Sequence, residues 1–300
     1  MGEAWKEYKR PYVKQSTFYN YMLIMRKHLL PYFGSMTTIS EEDVQTFVLK
    51  KLEKGLSQKF VRDILVVLKM AVKYAAKQGW TDYREWDIKF PTTTDSRKIE
   101  VLTIDEQKKI LDFVRAHFTF RNLGIYLGLM AGLRIGEVCA LKWSDLDFNN
   151  GLISIRHTIE RIYKIEENGV THTELIIGTP KTETSGREIP MTKEILKLLK
   201  PYRKKLTPDH YVLTDNTSPI EPRSYRNYYK HFLKQLGIPY MKFHCLRHSF
   251  ATRCIESNCD YKTVSALLGH SKISTTLDLY VHPNIDQKRR CIVRMLDFLE

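Results

Sequence analysis

Apolar positions recur every three and four residues through the first quarter of the chain: Phe18, Tyr21, Met22, Met25 and Leu29 in one segment, Val61, Ile64, Leu65, Leu68, Val72 and Ala75 in another. That period puts the apolar side chains on one face of a helix, so the stretch from Trp5 to Gln78 is expected to fold as an all-helical bundle. The pattern lapses at "FPTTTDSRKIEV", Phe90 to Val101, where Pro, Thr, Asp and Ser give the composition of a linker. We therefore expect a helical domain over 1–92, a linker over 93–101 and a second domain over 102–300.

The second domain opens at "LTIDEQKKILDFV", with Thr103 at the N-cap and Glu106 three residues on, the spacing of a capping box. Another helix follows through "LGIYLGLMAGLRIGEVCALKW". The period then changes. "GLISIRHTI" and "THTELIIGT" flank the turn "EENG", and "TPKTETSGREIPM" reads as a second turn feeding the strand "REIP", so a small sheet of roughly three strands interrupts the helices. Helical patterning resumes at Thr192, breaks at "TPDHYVLTDNTSPIEP", and ends in an amphipathic tail helix over about 284–300, with Ile292, Met295, Leu296 and Leu299 on one side. The fold class expected is mainly α with a small antiparallel β-sheet: an all-helical first domain and a mixed, mostly α second domain.

A chain of 300 residues with 43% hydrophobic and 27% charged residues is globular rather than disordered. Its 48 Lys and Arg against 34 Asp and Glu leave a net charge of +14, which favours a polyanionic partner such as nucleic acid. Lys14, Arg26, Lys27, Lys59, Arg62, Lys69 and Lys73, on the faces of the first domain's helices, are the candidate DNA contacts; a solvated face accounts equally well for any one of them. No run of about 18 apolar residues is present to span a membrane, and "MGEAWKEYKRPY" has no apolar core of a secretory signal. Five cysteines without C-x-x-C spacing fit reduced thiols, and a cytoplasmic protein is expected.

The markers of nucleotide-fuelled, dinucleotide-dependent, zincin and hydrolase-elbow enzymes are missing from the sequence. Two histidines four apart, His244 and His248, could share a metal with Cys254 and Cys259, but Cys254 falls well off their helix face and no close Cys pair completes a site. No metal and no cofactor are expected. Arg134 stands in the apolar "LMAGLRIGEVCAL"; a cation there needs a partner, either Glu137 one turn on or a phosphate, which the guanidinium fork can hold with two bonds. In "HCLRHSF", His244 and Arg247 are three apart and project from one helix face, adding a second arginine. His270 follows Gly269, which can close a helix with a left-handed C-cap; a structural histidine is the plainer account of it alone. Tyr280 serves equally as core packing or as a nucleophile, and the second role requires neighbouring positive charge or a base, since a phenol ionises near 10. Lys181 sits in a turn, either solvated or carried over a groove as a proton donor.

Taken in order, Arg134 in "LRIGE", Lys181 in a β-turn, His244 and Arg247 in "HCLRHSFAT", His270 in "LLGHS" and Tyr280 in "TTLDLYVH" resemble the catalytic set of the tyrosine recombinases, the phage integrase family, with the nearest flavour being integrases of conjugative transposons and temperate phages. The resemblance also covers "STFYNYMLIMRKHLLPYFG", which is similar to the helical core-binding, SAM-like domain of integrases. It implies that Tyr280 attacks a DNA phosphodiester to give a 3′-phosphotyrosine, that Arg134 and Arg247 clamp the phosphate, that Lys181 is the general acid, and that His244 and His270 are transition-state donors or proton acceptors, with Glu137 supporting Arg134. It further implies double-stranded DNA as partner, a tetramer assembled through the C-terminal helix around a Holliday junction, accessory DNA-bending or directionality factors, and a nucleoid-associated location in a bacterial cytoplasm. Many such integrases carry an additional amino-terminal arm-binding domain; none is legible here. The competing readings are a type IB topoisomerase, which relaxes supercoils with a similar pocket, and a DNA-binding regulator on a catalytically dead scaffold, which predicts a missing catalytic residue.

Overall fold

A computed structural model of the chain describes residues 2–92, 99–165, 171–179, 185–280 and 285–299. It divides into two compact units, 1–96 with 161–174, and 97–160 with 175–300. Most of the expected linker, residues 93–98, lies outside the described residues, as does the turn "EENG".

The first unit is built from α1 (Gly2–Lys9), α2 (Gln15–Ile24), α3 (Leu30–Phe33), α4 (Glu41–Glu53) and α5 (Gln58–Lys77). Its core gathers Trp5, Ile24, Leu29, Phe33, Phe47, Ile64 and Leu68, of which Leu29, Ile64 and Leu68 belong to the helical period read in the sequence. One departure lies between α2 and α3, where Met25–Leu29 forms a π turn and Leu30 N–H bonds the carbonyl of Met25. Pro31 has no N–H to give to Lys27, so the helix widens by a residue before it resumes. Ser40 caps α4 with a reciprocal Asp43 bond, and Ser57 caps α5. Beyond α5 the chain lies extended against the same unit: Gln45 exchanges hydrogen bonds with Lys89, and Trp86 is buried in the core.

The second unit begins with α6 (Ile104–Ala116), α7 (Phe120–Met130) and α8 (Ile135–Ala140). The Thr103–Glu106 capping box is formed, which starts α6 where the sequence places it. Along the chain strands β1 (Leu146–Asp147), β2 (Leu152–Ile155), β3 (Thr158–Ile165), β4 (Thr171–Gly178) and β5 (Arg187–Pro190) follow; β1, β2 and β5 belong to the second unit, while 161–174, within β3 and β4, is grouped with the first. They make two sheets rather than one. The order β1-β2-β5 is antiparallel, with Ile153 opposite Leu146 and Ile189, while β3 and β4 pair separately. The run "GLISIRHTI" is interrupted at Arg156 and His157, so one apolar stretch supplies a strand to each sheet.

The remaining helices are α9 (Lys193–Leu199), α10 (Pro222–Gln235), α11 (His244–Glu256), α12 (Tyr261–Leu268), α13 (Ile273–Tyr280) and α14 (Ile285–Leu299). The central helix is α7, buried along its whole length from Leu123 to Leu129 and packed against α11. That burial holds the cation-bearing helix α11 directly on the core.

Candidate active site

On α11 the residues His244, Arg247 and His248 stand at i, i+3 and i+4 and share one face. Arg247 is only 1% exposed. A buried guanidinium must be answered by hydrogen-bond acceptors, and here they are backbone carbonyls: Nη1 donates to Gly132 at 2.8 Å and Nη2 to Leu268 at 2.5 Å. Gly132 can present its carbonyl because it takes φ +66°, in the left-handed region where a side chain is strained, and a Cβ would meet Phe250 at 2.7 Å.

The Leu268 carbonyl belongs to the end of α12. Gly269, at φ 63° and ψ 49°, closes this helix: its N–H bonds Ala266, and His270 N–H bonds Ser265. Those two bonds form the Schellman arrangement, which leaves the carbonyls that follow without partners inside the helix. Arginines take them. Leu267 accepts from Arg187 Nε at 2.6 Å, Leu268 from Arg247, and Gly269 from Arg134 Nη2 in a long contact of 3.4 Å. The negative end of a helix dipole therefore faces the site's cations.

Glu137 ties two of these arginines together. Its carboxylate accepts from Arg134 Nη1 at 2.7 Å and Arg134 N at 2.9 Å, and from Arg187 Nη1 and Nη2 at 3.1 and 2.9 Å. Burial would raise this carboxyl, but the bonds and charge of Arg187 and the charge of Arg134 hold it below the usual range. Arg134 stands at the start of α8 with its side chain 36% exposed, so its guanidinium is positioned by Glu137 and still open to an incoming anion.

Tyr280 ends α13 and is 8% exposed. Its hydroxyl lies 2.6 Å from Nδ1 of His248. Burial raises the phenol's pKa, and the charges of Arg247 and Arg134 pull it back down. His270 bonds Thr276 Oγ1 at 2.9 Å through Nδ1, which fixes its ring against α13. Burial and the charges of Arg247 and Arg134 push His270 down to about 4. His244 falls to about 4 as well, through burial, His248 and Arg247, and its ring meets that of His248 edge to face at 4.5 Å. His244, His270 and Tyr280 all feel the charges of Arg247 and Arg134, and Glu137 is bonded to Arg134, so Arg134, Glu137, His244, Arg247, His270 and Tyr280 form one cluster.

Lys181 lies outside the described residues. The DNA-contact candidates belong to the first unit: Lys59, Arg62, Lys69 and Lys73 are spaced three, seven and four apart along α5 and so share a face, while Lys14, Arg26 and Lys27 lie on or beside α2. Lys69 is half-buried and the others are exposed. Arg62 stacks 3.8 Å over Phe90, and Lys73 stands 5.1 Å over the ring of Tyr83. Among the described residues, no three of His, Cys, Asp and Glu gather as a metal site, and no helix is long and apolar enough to cross a membrane. Sequence reasoning missed Arg187 and undervalued His248. An arginine opening the strand "REIP" carries no local sign of its distant partners, whereas His248, four residues past His244 on the same face, could have been nominated.

Residues 100–287 match the phage integrase family, and residues 2–52 match the phage integrase N-terminal SAM-like domain. The chain is 29% identical over 309 aligned positions to a XerC-like tyrosine recombinase of Caldanaerobacter subterraneus subsp. tengcongensis, an alignment covering 95% of this chain and 78% of that protein. Its fold is similar to that of the Tn1549 transposon integrase in complex with circular intermediate DNA, at TM-score 0.76 and 26% identity over 98% of both chains. It is also similar to lambda integrase in a tetramer bound to a Holliday junction, at TM-score 0.60 and 19% identity, covering 94% of this chain and 78% of that one. With nearly two thirds of its length matched by the family, and an arginine-rich cluster built around a tyrosine at its centre, the chain belongs to the phage integrase family and is a tyrosine recombinase, a DNA strand-transferring enzyme.

Proposed function

We propose that Tyr280 is the nucleophile of a site-specific recombination reaction in which its hydroxyl attacks a phosphodiester of double-stranded DNA. The phosphate becomes esterified to Tyr280 on its 3′ side, and the 5′-hydroxyl is released. Arg134 and Arg247 clamp the non-bridging oxygens as negative charge grows on them. His244 and His270, neutral at pH 7, add hydrogen bonds to the same oxygens, and Lys181 protonates the leaving 5′-alkoxide. Glu137 holds Arg134 in place. The observation that carries this reading is the placement of Tyr280, 8% exposed with its hydroxyl 2.6 Å from Nδ1 of His248, in the field of Arg247 and Arg134, whose charges offset part of the rise that burial imposes on the phenol.

Because the phosphotyrosine conserves the bond, a 5′-hydroxyl from a second duplex can reverse the step and join new ends. Residues 1–92 bind DNA through the α5 face and the flank of α2, and 102–300 perform the chemistry. The tail helix is the element offered for assembly on DNA: Ile292, Met295 and Leu296 are 49–58% exposed, an apolar face suited to a neighbouring copy. A bacterial cytoplasm is the setting that agrees with these relatives. Supercoil relaxation without exchange is the less favoured outcome, since the relatives are recombinases and transposon integrases. Among the residues expected from the resemblance, none is missing from the sequence, which disfavours a dead scaffold.

The test is a nicked suicide duplex carrying candidate sites from the DNA flanking the gene. Wild type should form an adduct that survives denaturing electrophoresis, in buffer with or without EDTA, and Tyr280→Phe should not. Tight binding without any adduct would remove Tyr280 from the role of nucleophile.

A further inference from the structure

A buried tyrosine whose pKa is raised does not supply its own phenolate, so attack requires a group that takes the proton. The resemblance to recombinases offers His244 and His270 as acceptors, yet the histidine bonded to the Tyr280 hydroxyl is His248, with 2.6 Å between oxygen and Nδ1. That is within the reach required of a general base. Three further features suit it. His248 follows Arg247 on α11, so the helix that positions the buried phosphate clamp also positions this ring. The ring is confined by His244 at 4.5 Å and by Tyr280, with ring centroids 5.6 Å apart. Burial and the charge of Arg247 lower the proton affinity of His248, which keeps the imidazole neutral and able to accept. Among the described residues, the charged and titratable groups facing this ring are His244 and Arg247 on its own helix and Tyr280 on α13.

We propose that His248 is a catalytic residue, the general base that removes the Tyr280 proton. This rests on Tyr280 being the nucleophile. In the cleavage step the Tyr280 O–H bond breaks and its proton moves to Nδ1 of His248, giving an imidazolium. The Tyr280 oxygen–phosphorus bond forms as the phosphorus–O5′ bond breaks, and O5′ receives its proton from the general acid. In the joining step the same imidazolium returns its proton to the departing tyrosine oxygen. A neutral phenol is a much weaker acid than an imidazolium, so the proton moves as the oxygen–phosphorus bond forms rather than before it.

Single-turnover adduct formation on the nicked suicide duplex tests this with His248→Ala, His248→Asn and Tyr280→Phe. Asparagine offers an amide oxygen near the place of Nδ1, so it retains a hydrogen-bond acceptor for Tyr280 but cannot take its proton. Both His248 variants should slow adduct formation by about 10²- to 10⁴-fold, the range of general acid–base catalysis, while DNA affinity and melting stay near those of wild type. Fluorotyrosine at position 280, a stronger acid, should restore His248→Asn by at least about tenfold, on the same scale, and change wild type less. An Asn variant as fast as wild type would reduce His248 to a positioning residue, and a faster one would make the contact a resting latch; either overturns the proposal. Should His248→Ala not fold, the Asn variant carries the comparison alone. An adduct with Tyr280→Phe would instead show that Tyr280 is not the nucleophile, a separate failure with a separate signature.

Discussion

Replacing Arg187 with methionine keeps the aliphatic length of the side chain and removes its donors. The losses are Nε to Leu267 O, Nη1 to Ser185 O, and both contacts to the Glu137 carboxylate. Glu137 is left with a 2% exposed side chain whose remaining donors are Nη1 and the backbone N of Arg134. Removing one partner of a buried ion pair costs about 3–5 kcal/mol because the other charge stays buried without compensation. The donors kept from Arg134 argue for the lower end, about 3 kcal/mol, which for a unit of this size lowers Tm by about 6–12 °C. Urea denaturation of wild type, Arg187→Met, Glu137→Gln and the double variant measures both the loss and its origin. If the cost arises from the orphaned carboxylate, Arg187→Met should be milder in the Glu137→Gln background. The pH dependence follows with its sign: Glu137 is depressed in the folded state, so its contribution is complete above the unfolded carboxyl value and is lost as pH falls through the folded one. In Arg187→Met the folded value rises toward the unfolded one, so that acid loss should be smaller and should end at a higher pH. A cost below about 1 kcal/mol, or an equal cost in both backgrounds, would refute the account.

Gly269→Ala should destabilise by about 1–2 kcal/mol from its left-handed backbone alone, with a Cβ pressing on Arg187 Cδ at 3.1 Å. Cleavage should fall by more than stability explains, because the carbonyls that hold three arginines shift together; a single-turnover rate matching wild type would contradict this. Alanine at Lys59, Arg62, Lys69 and Lys73 together should flatten the log–log salt dependence of DNA binding by about 3 to 4, at about 0.9 per phosphate contact released; an unchanged slope, read by fluorescence anisotropy, would move the DNA interface off α5. His244 and His270, at about 4 when folded against 6.5 otherwise, take up protons on unfolding, so stability should decline as pH falls from about 6.5 toward about 4. Tm measured across that window in the His244→Asn/His270→Asn double variant should decline less steeply than in wild type.

What was legible in the sequence was whatever acts locally. The apolar period of α5 and the Thr103–Glu106 cap were readable because their partners lie within a few residues. The recombinase residues were readable as short words in a fixed order. What escaped was set by tertiary partners. Strands β2 and β3 read as one run because apolar alternation does not say which neighbour each half will meet, and that was decided by the pairing of β2 with β5. The π turn before Pro31 follows from one missing N–H inside an otherwise regular period. Arg187 escaped because its acceptors, Glu137 and Leu267, lie 50 and 80 residues away.

The mainly helical second unit also answers how cations can sit in an apolar region without losing the fold. Burying a guanidinium next to another is doubly unfavourable, and one carboxylate, Glu137, does not offset Arg134, Arg187 and Arg247 alone. The balance is supplied by backbone. A Schellman turn at Gly269 satisfies Ser265 and Ala266 and leaves the next carbonyls, at Leu267, Leu268 and Gly269, for one arginine each. These acceptors carry no titratable charge, so the cluster keeps a net positive field while its N–H groups are satisfied. A site built to receive a phosphate needs that combination. More carboxylates would stabilise the empty pocket but repel the substrate, whereas helix-end carbonyls hold the guanidiniums in place and leave their charge for the phosphate. The word "LLGH" is thus a structural requirement whatever its proposed catalytic part: the glycine ends α12 where the arginines need acceptors, and the histidine that follows enters the cluster as a consequence of that ending.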